Sequence, residues 1–117
     1  GSLMSDTIFG KIARGEMEVD LIYEDDDVVA FQDISPQAPT HLLVIPRKPI
    51  PTLNDAEPED AELIGKLFLA AARIAKQVGI AEAGYRTVIN CNAGAGQTVF
   101  HLHLHVLGGR PLQWPPG

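Results

Sequence analysis

The sequence predicts an α+β fold, a five-stranded antiparallel sheet with two helices packed on it. Three observations carry this expectation. Short β-branched apolar runs are separated by Asp-Asp, Pro and Gly turn signals and read as strands. One long stretch, from Glu57 to Val78, repeats its apolar residues at helical spacing. The order is helix, three strands, helix, two strands, and hairpins followed by a helix favour antiparallel pairing with the helices laid on the sheet.

Each element has a local cause. Asp6 is a good N-cap before Thr7-Ile8-Phe9-Gly10-Lys11-Ile12-Ala13-Arg14, Ile8, Phe9 and Ile12 share a face, and Gly15 supplies a stop. Leu21 to Glu24 is a brief strand. Asp25-Asp26 turns the chain, because short acids bond their own backbone, and Val28 to Asp33 returns. Ser35 to Thr40 is a loop fixed by Pro36 and Pro39. His41-Leu42-Leu43-Val44-Ile45, closed by Pro46, reads as a buried strand. Pro49 to Asn54 is irregular. Pro58 then suits a first helical turn, and Glu57, Glu59, Asp60 and Glu62 suit the positive end of a helix dipole. Leu63, Leu67, Ala70, Ala71, Ile74 and Val78 form its apolar stripe, ended by Gly79. Tyr85 to Asn90 is the fourth strand and Val99 to Leu107 the fifth, broken by Gly108-Gly109.

Composition bounds the function. The 117 residues suit one domain, read as residues 5–117. Residues 1–4 read as a cloning scar and disordered N-terminus. Nine Lys and Arg against fifteen Asp and Glu leave a net charge of −6. That sign argues against general binding to nucleic acid or to anionic membranes, which need a basic surface. It leaves room for one phosphate in a prepared pocket. A single cysteine, Cys91, allows no intrachain disulfide, so a reducing compartment, the cytoplasm, is expected. No signal peptide and no membrane span are expected either.

The chemistry concentrates near the end of the chain. Three of the four histidines alternate in His101-Leu102-His103-Leu104-His105-Val106. In a strand, alternate side chains share a face, so the three imidazoles would stand about 6.6–6.8 Å apart. Leu102, Leu104 and Val106 would pack under the long helix. Such a row suits metal binding, nucleophilic catalysis by one imidazole, or a polar core network. No acid or second cysteine nearby in sequence completes a metal site. The preceding loop, Gly94-Ala95-Gly96-Gln97-Thr98, offers N–H groups, an amide and a hydroxyl, the donors a phosphoryl group needs, and favours the nucleophilic reading.

These residues resemble a known family. The run from His101 to Val106 is similar to the histidine triad motif, three histidines alternating with apolar residues. Asp33-Ile34-Ser35-Pro36-Gln37-Ala38-Pro39-Thr40-His41, Gly108-Gly109-Arg110 and Trp114-Pro115-Pro116-Gly117 resemble the nucleotide-binding (Hint) branch of the HIT superfamily. The likeness runs from about Asp6 to the C-terminus. It implies a homodimeric purine nucleoside phosphoramidase that hydrolyses the P–N bond of adenosine and guanosine 5′-monophosphoramidates. The implied path is a nucleotidyl-histidine, with binding of AMP or GMP and no metal or cofactor. Dinucleoside polyphosphate hydrolases share the triad, and a nucleotide-binding scaffold with vestigial turnover is a further alternative.

Carried onto this sequence, the resemblance makes His103 the nucleophile, oriented by the backbone carbonyl of His101. His105 contacts the phosphate or leaving group, and His41 supports the network. Asn90, Gly96, Gln97 and Thr98 match phosphate-binding positions, with His103 and His105 beside them. Asp33 matches the ribose acceptor. Ile8, Phe9, Ile12, Phe31, Ile34 and Leu43 match the wall of the base pocket, and Trp114 a tail residue reaching the partner subunit. A Cys-x-x-Cys pair that builds a zinc site in some relatives is missing here, where the chain reads Asp6-Thr7-Ile8-Phe9-Gly10.

Overall fold

A computed structural model describes residues 7–117; the expectations for residues 1–4 and for Asp6 as a cap lie outside them. The first helix, α1 (Ile8–Ala13), has six residues and is too short to persist alone. Its N-cap is Thr7, whose hydroxyl accepts the Gly10 N–H at 2.9 Å. Gly15, at φ +76°, closes it in the left-handed conformation. Arg47 Nη1 donates to the Ala13 carbonyl at 2.9 Å and ties the helix end to the sheet.

Strands β1 (Leu21–Glu24) and β2 (Val28–Gln32) form a hairpin. The Asp25 carboxylate accepts the N–H groups of Asp27 and Val28, both at 2.8 Å, which fixes the turn as expected. Then come β3 (Thr40–Pro46), α2 (Ala61–Gln77), β4 (Tyr85–Val88) and β5 (Leu104–Gly108). The sheet order is β1-β2-β3-β5-β4, antiparallel throughout. The last strand therefore inserts between β3 and β4, placing the strand that carries His105 inside the sheet rather than at its edge.

Both faces of the sheet are covered. Val28, Ala30, Leu42, Val44, Leu102, Leu104 and Val106 pack against Leu67, Ala70, Ala71, Ile74 and Ala75 of α2. Val29, Phe31, Leu43 and Ile45 face the other way, onto Ile12 and Ala13 of α1. This explains why β3 reads as a continuous apolar run. Each fully buried Leu or Ile in these layers is worth about 1.5–3 kcal/mol.

Several boundaries differ from expectation. The ladder of β5 starts at Leu104, not Val99, because the Leu102 N–H leaves the sheet and donates to the Ile50 carbonyl at 2.6 Å. Gly108 belongs to the strand and pairs with Thr40 and Tyr85; a Cβ there would lie 2.9 Å from Ile80 Cδ1. The break falls at Gly109, at φ +91°. Strand β4 stops at Val88, and β2 at Gln32. A 3₁₀ turn, Pro58–Asp60, precedes α2, and another, Leu53–Asp55, lies in the segment read as irregular. Val78 caps α2 and is exposed, while Ala75 completes the buried stripe.

Candidate active site

The histidine run leads into β5, an interior strand of the sheet, on the α1 side. His105 is the register partner of Leu43 in β3 and of Val88 in β4. His101 and His103 precede the ladder, yet the alternation holds, since Leu102 and Leu104 enter the opposite core. The three imidazoles have different surroundings. His101 is fully buried, and its Nε2–H donates to the Pro46 carbonyl at 2.8 Å. Its Nδ1 has no partner among the described residues. His103 is nearly buried, with Phe9 edge-on at 5.0 Å and His105 at 5.0 Å between ring centroids. Phe9 in turn meets Phe31 edge-on at 5.5 Å, so α1 braces the His103 ring.

The hydrogen bond of His103 fixes its tautomer. Its Nδ1 lies 2.7 Å from the His101 carbonyl oxygen, which only accepts, so Nδ1 carries the hydrogen. Nε2 is left with its lone pair. Burial holds the His103 pKa below the usual imidazole value, so the ring is neutral at pH 7. Burial likewise lowers His101. For His105, burial first, then the neighbouring His103 and His41, push the pKa down to about 4, with Asp33 opposing. The imidazolium His105 that an electrostatic role would use is therefore absent at neutral pH.

A second cluster joins His105. The Nε2 atom of His41 lies 2.9 Å from His105 Nδ1 and 3.3 Å from Asp33 Oδ2. The Asp33 N–H donates to the His41 carbonyl at 3.0 Å and holds the acid beside the histidine. One potential ligand atom from each of Asp33, His41 and His105 lies within 4.8 Å of the others. The fold thus supplies the acid that no sequence neighbour provided. The hydrogen bonding opposes a metal there. The Gln37 N–H donates to His41 Nδ1 at 2.9 Å, so the proton of neutral His41 sits on Nε2, the atom a metal would need.

A cavity of about 720 Å³ opens beside His103 and His105. Ile8, Phe9, Ile12, Phe31, Ile34 and Leu43 line it, with Asp33 and Thr98. Ile34 is 96% exposed and forms rim rather than wall. Met17, Val19, Asp20, Leu21 and Val99 also line the cavity and were not anticipated. Residues 17–20 carry no periodic signal, and only the register Leu21↔Phe31 brings them in.

The glycine-bearing loop is closed by its own hydrogen bonds. Gly96, at φ +88°, ends the turn Ala93–Ala95, and its N–H donates to the Ala93 carbonyl at 3.0 Å. The Gln97 N–H donates to the Asn92 carbonyl at 3.1 Å. Its buried amide accepts from the Asn92 N–H and donates to the carbonyls of Pro51 and Val99. Gly96 and Gln97 therefore shape the loop, and their own donors are occupied. The N–H groups of Thr98 and Val99 and the Thr98 hydroxyl have no partner among the described residues, and both residues border the cavity. Asn90, half-buried, lies two residues past Val88 and outside the lining. Trp114 is 80% exposed and leaves the cavity of its own chain untouched; Arg86 lies over its ring at 5.8 Å and donates to the Gln113 carbonyl.

A compact α+β sheet with a buried, tautomer-fixed histidine row over an apolar cavity defines the class of histidine triad domains. Residues 14–112 match the family described as HIT domain, and the chain belongs to that family. It is 54% identical over 110 residues to the purine nucleoside phosphoramidase of Escherichia coli K12, covering 94% of this chain and 92% of that protein. It is 55% identical over 115 residues to an uncharacterized HIT-like protein of Synechocystis. Among solved structures, a HIT family hydrolase from Legionella pneumophila Philadelphia 1 superposes with a TM-score of 0.93 at 50% identity. That match covers 96% of this chain and 100% of the other. A histidine triad protein from Clostridium difficile gives 0.89 at 41% identity, covering 92% and 94%.

Proposed function

We propose that this HIT-family hydrolase is a purine nucleoside phosphoramidase, cleaving the P–N bond of adenosine and guanosine 5′-monophosphoramidates. The observation that carries the reading is the neutral His103 with its Nε2 lone pair at the wall of a purine-sized apolar cavity. The kinship with the E. coli enzyme supports it. The base lies among Phe9, Ile12, Phe31 and Leu43, with Ile8 and Ile34 at the mouth. Asp33 accepts the ribose hydroxyls. Thr98 and the N–H of Val99 meet the phosphoryl oxygens, with Asn90 behind and His105 beside them.

His103 Nε2 attacks phosphorus in line. An N–P bond forms as the P–N bond to the amine breaks, and the bonding pair leaves on the amine nitrogen, which departs protonated. Water then attacks the nucleotidyl-histidine, the N–P pair returns to Nε2, and the nucleoside monophosphate leaves with one proton given to solvent. Donors fixed before the reaction stabilise the charge that develops on the phosphoryl oxygens. No nucleic-acid or membrane partner enters this reading.

The working unit is a homodimer. Strand β4 is a sheet edge with its outer N–H and C=O groups unpaired by protein, and exposed Trp114 lies close by, over Arg86. The partner subunit's tail borders the amine side of each site.

Steady-state kinetics on AMP and GMP phosphoramidates beside diadenosine polyphosphates tests the function. The phosphoramidates should be preferred; faster turnover of the polyphosphates would overturn it. The variant His103→Ala should lose turnover while binding AMP within about tenfold, because the lost contact belongs to the transition state. Rapid quench should place the adduct on His103, and an adduct on His41, His101 or His105 would refute the assignment.

A further inference from the structure

We propose that the backbone N–H of Gln37 acts as a positioning group that fixes His105 as a neutral Nε2–H donor facing the substrate. Two hydrogen bonds link the Gln37 amide to His105. The Gln37 N–H donates to His41 Nδ1 at 2.9 Å, and an amide N–H has no lone pair to offer in return. His41 must then be protonated at Nε2. That atom faces His105 Nδ1 at 2.9 Å and Asp33 Oδ2 at 3.3 Å, so its hydrogen is shared between two acceptors. His105 Nδ1 is therefore a lone pair, and the single hydrogen of His105 sits on Nε2. Residues His103 and His105 line the cavity, and Nε2 of His105 has no hydrogen-bond partner among the described residues.

The same geometry resists a second proton. An imidazolium His105 would set two N–H groups against each other 2.9 Å apart. An imidazolium His41 would do the same against Gln37. The charged and titratable groups facing the pair are Asp33 after β2, His41 in β3 and His103 before β5. The depressed pKa of His105 agrees with this arrangement. The peptide at position 37 is itself held from both sides. Arg110 Nη2 donates to the Gln37 carbonyl at 2.9 Å, and the Gln37 side chain donates to the Ser35 carbonyl at 2.9 Å.

The catalytic consequence rests on the phosphoramidase reading. His105 stabilises a phosphoryl oxygen or the leaving nitrogen by hydrogen bonding, and it does not hand over its proton. Full transfer from neutral His105 would leave an imidazolate that His41 cannot reprotonate without taking a proton from an amide. The leaving amine therefore departs with a proton taken from solvent while still bonded to phosphorus.

Long-range ¹H–¹⁵N spectra of the whole protein test the tautomers directly, with no variant and no substrate. The expected result is hydrogen on Nε2 of both His41 and His105 at pH 7, His105 staying neutral down to about pH 5, and a coupling across the Gln37 N–H to His41 Nδ1. A hydrogen on Nδ1 of either ring, or an imidazolium His105 at pH 6, overturns the proposal. Gln37→Pro removes the N–H. An ester in place of the 36–37 peptide, made by semisynthesis, removes it with less steric change. Either should let His105 take up a proton between about pH 5 and 7 and give the rate a new acid limb there. A folded ester variant with native tautomers and a native pH–rate profile refutes the role of Gln37. Failure of every phosphoramidate to turn over refutes the functional reading and leaves the tautomer result standing.

Discussion

Replacing Asp33 by alanine gives a sharp test of how the site reads its ligand. A carboxylate has about four lone-pair positions. Two are occupied here: Oδ1 accepts the Ser35 N–H at 2.8 Å, and Oδ2 lies 3.3 Å from His41 Nε2. Two remain, which matches the two hydroxyls of a ribose. The side chain is 17% exposed, so water competes only in part for those positions. Hydrogen bonds to a charged group are worth about 1.5–3 kcal/mol. At 1.4 kcal/mol per decade, AMP should bind roughly ten- to more than a hundredfold more weakly to Asp33→Ala. The variant keeps the His41–His105 bond at 2.9 Å, so the phosphate end of the site stays ordered. Calorimetry with AMP and with 2′,3′-dideoxy-AMP separates the effects. The dideoxy nucleotide has no hydroxyls to lose, so its affinity should barely change. Equal weakening of both nucleotides would refute the ribose assignment and make Asp33 a support for the loop.

Further outcomes follow from the same geometry. Folding stability should fall with acid: the buried histidines have lowered folded pKa values, so the unfolded chain binds protons more readily below about pH 6.5. His105 alone, moving from 6.5 to about 4, contributes up to about 3 kcal/mol that is present above pH 6.5 and lost as pH falls toward 4. Urea midpoints at pH 7.5, 5.5 and 4.5 would check this, and a flat series would contradict it. Gly109→Ala should cost about 1–3 kcal/mol, because φ is +91° and the new Cβ would meet Pro39 Cβ at 2.9 Å, beside Thr40 and His41. A denaturation midpoint unchanged from the parent would contradict it. Asp20 places a second carboxylate at the cavity, beside Asp33 in its lining. A carboxylate accepts from N1–H and the amino group of guanine and opposes the bare N1 of adenine. Asp20→Asn should therefore lower the GMP-to-AMP affinity ratio, and an unchanged ratio would remove Asp20 from base selection.

The sequence by itself determined the elements and the placement of the histidine row. Period-two alternation placed Leu102, Leu104 and Val106 in one core and the three histidines opposite, and this held even where the ladder had not begun. It also determined the turns at Asp25 and Gly15 and the stripe under α2, since these depend on residues close in the chain. Other features needed the tertiary structure. The order β3-β5-β4 brings His105 against His41, 64 residues away, and with it Asp33 and the Gln37 amide. Which ring nitrogen carries a hydrogen is then settled by partners that no spacing reveals: a carbonyl for His103, an amide for His41. The hydrogen bonding of the loop before the histidines was hidden in the sequence for the same reason. Gly96 and Gln97 have the composition of phosphate donors, but their hydrogen bonds close on Ala93, Asn92, Pro51 and Val99, leaving Thr98 and Val99 open. Local patterns specify which face a side chain takes, because backbone periodicity is a property of neighbours. Proton positions and free donors depend on contacts between distant segments, and those exist only once the sheet has closed.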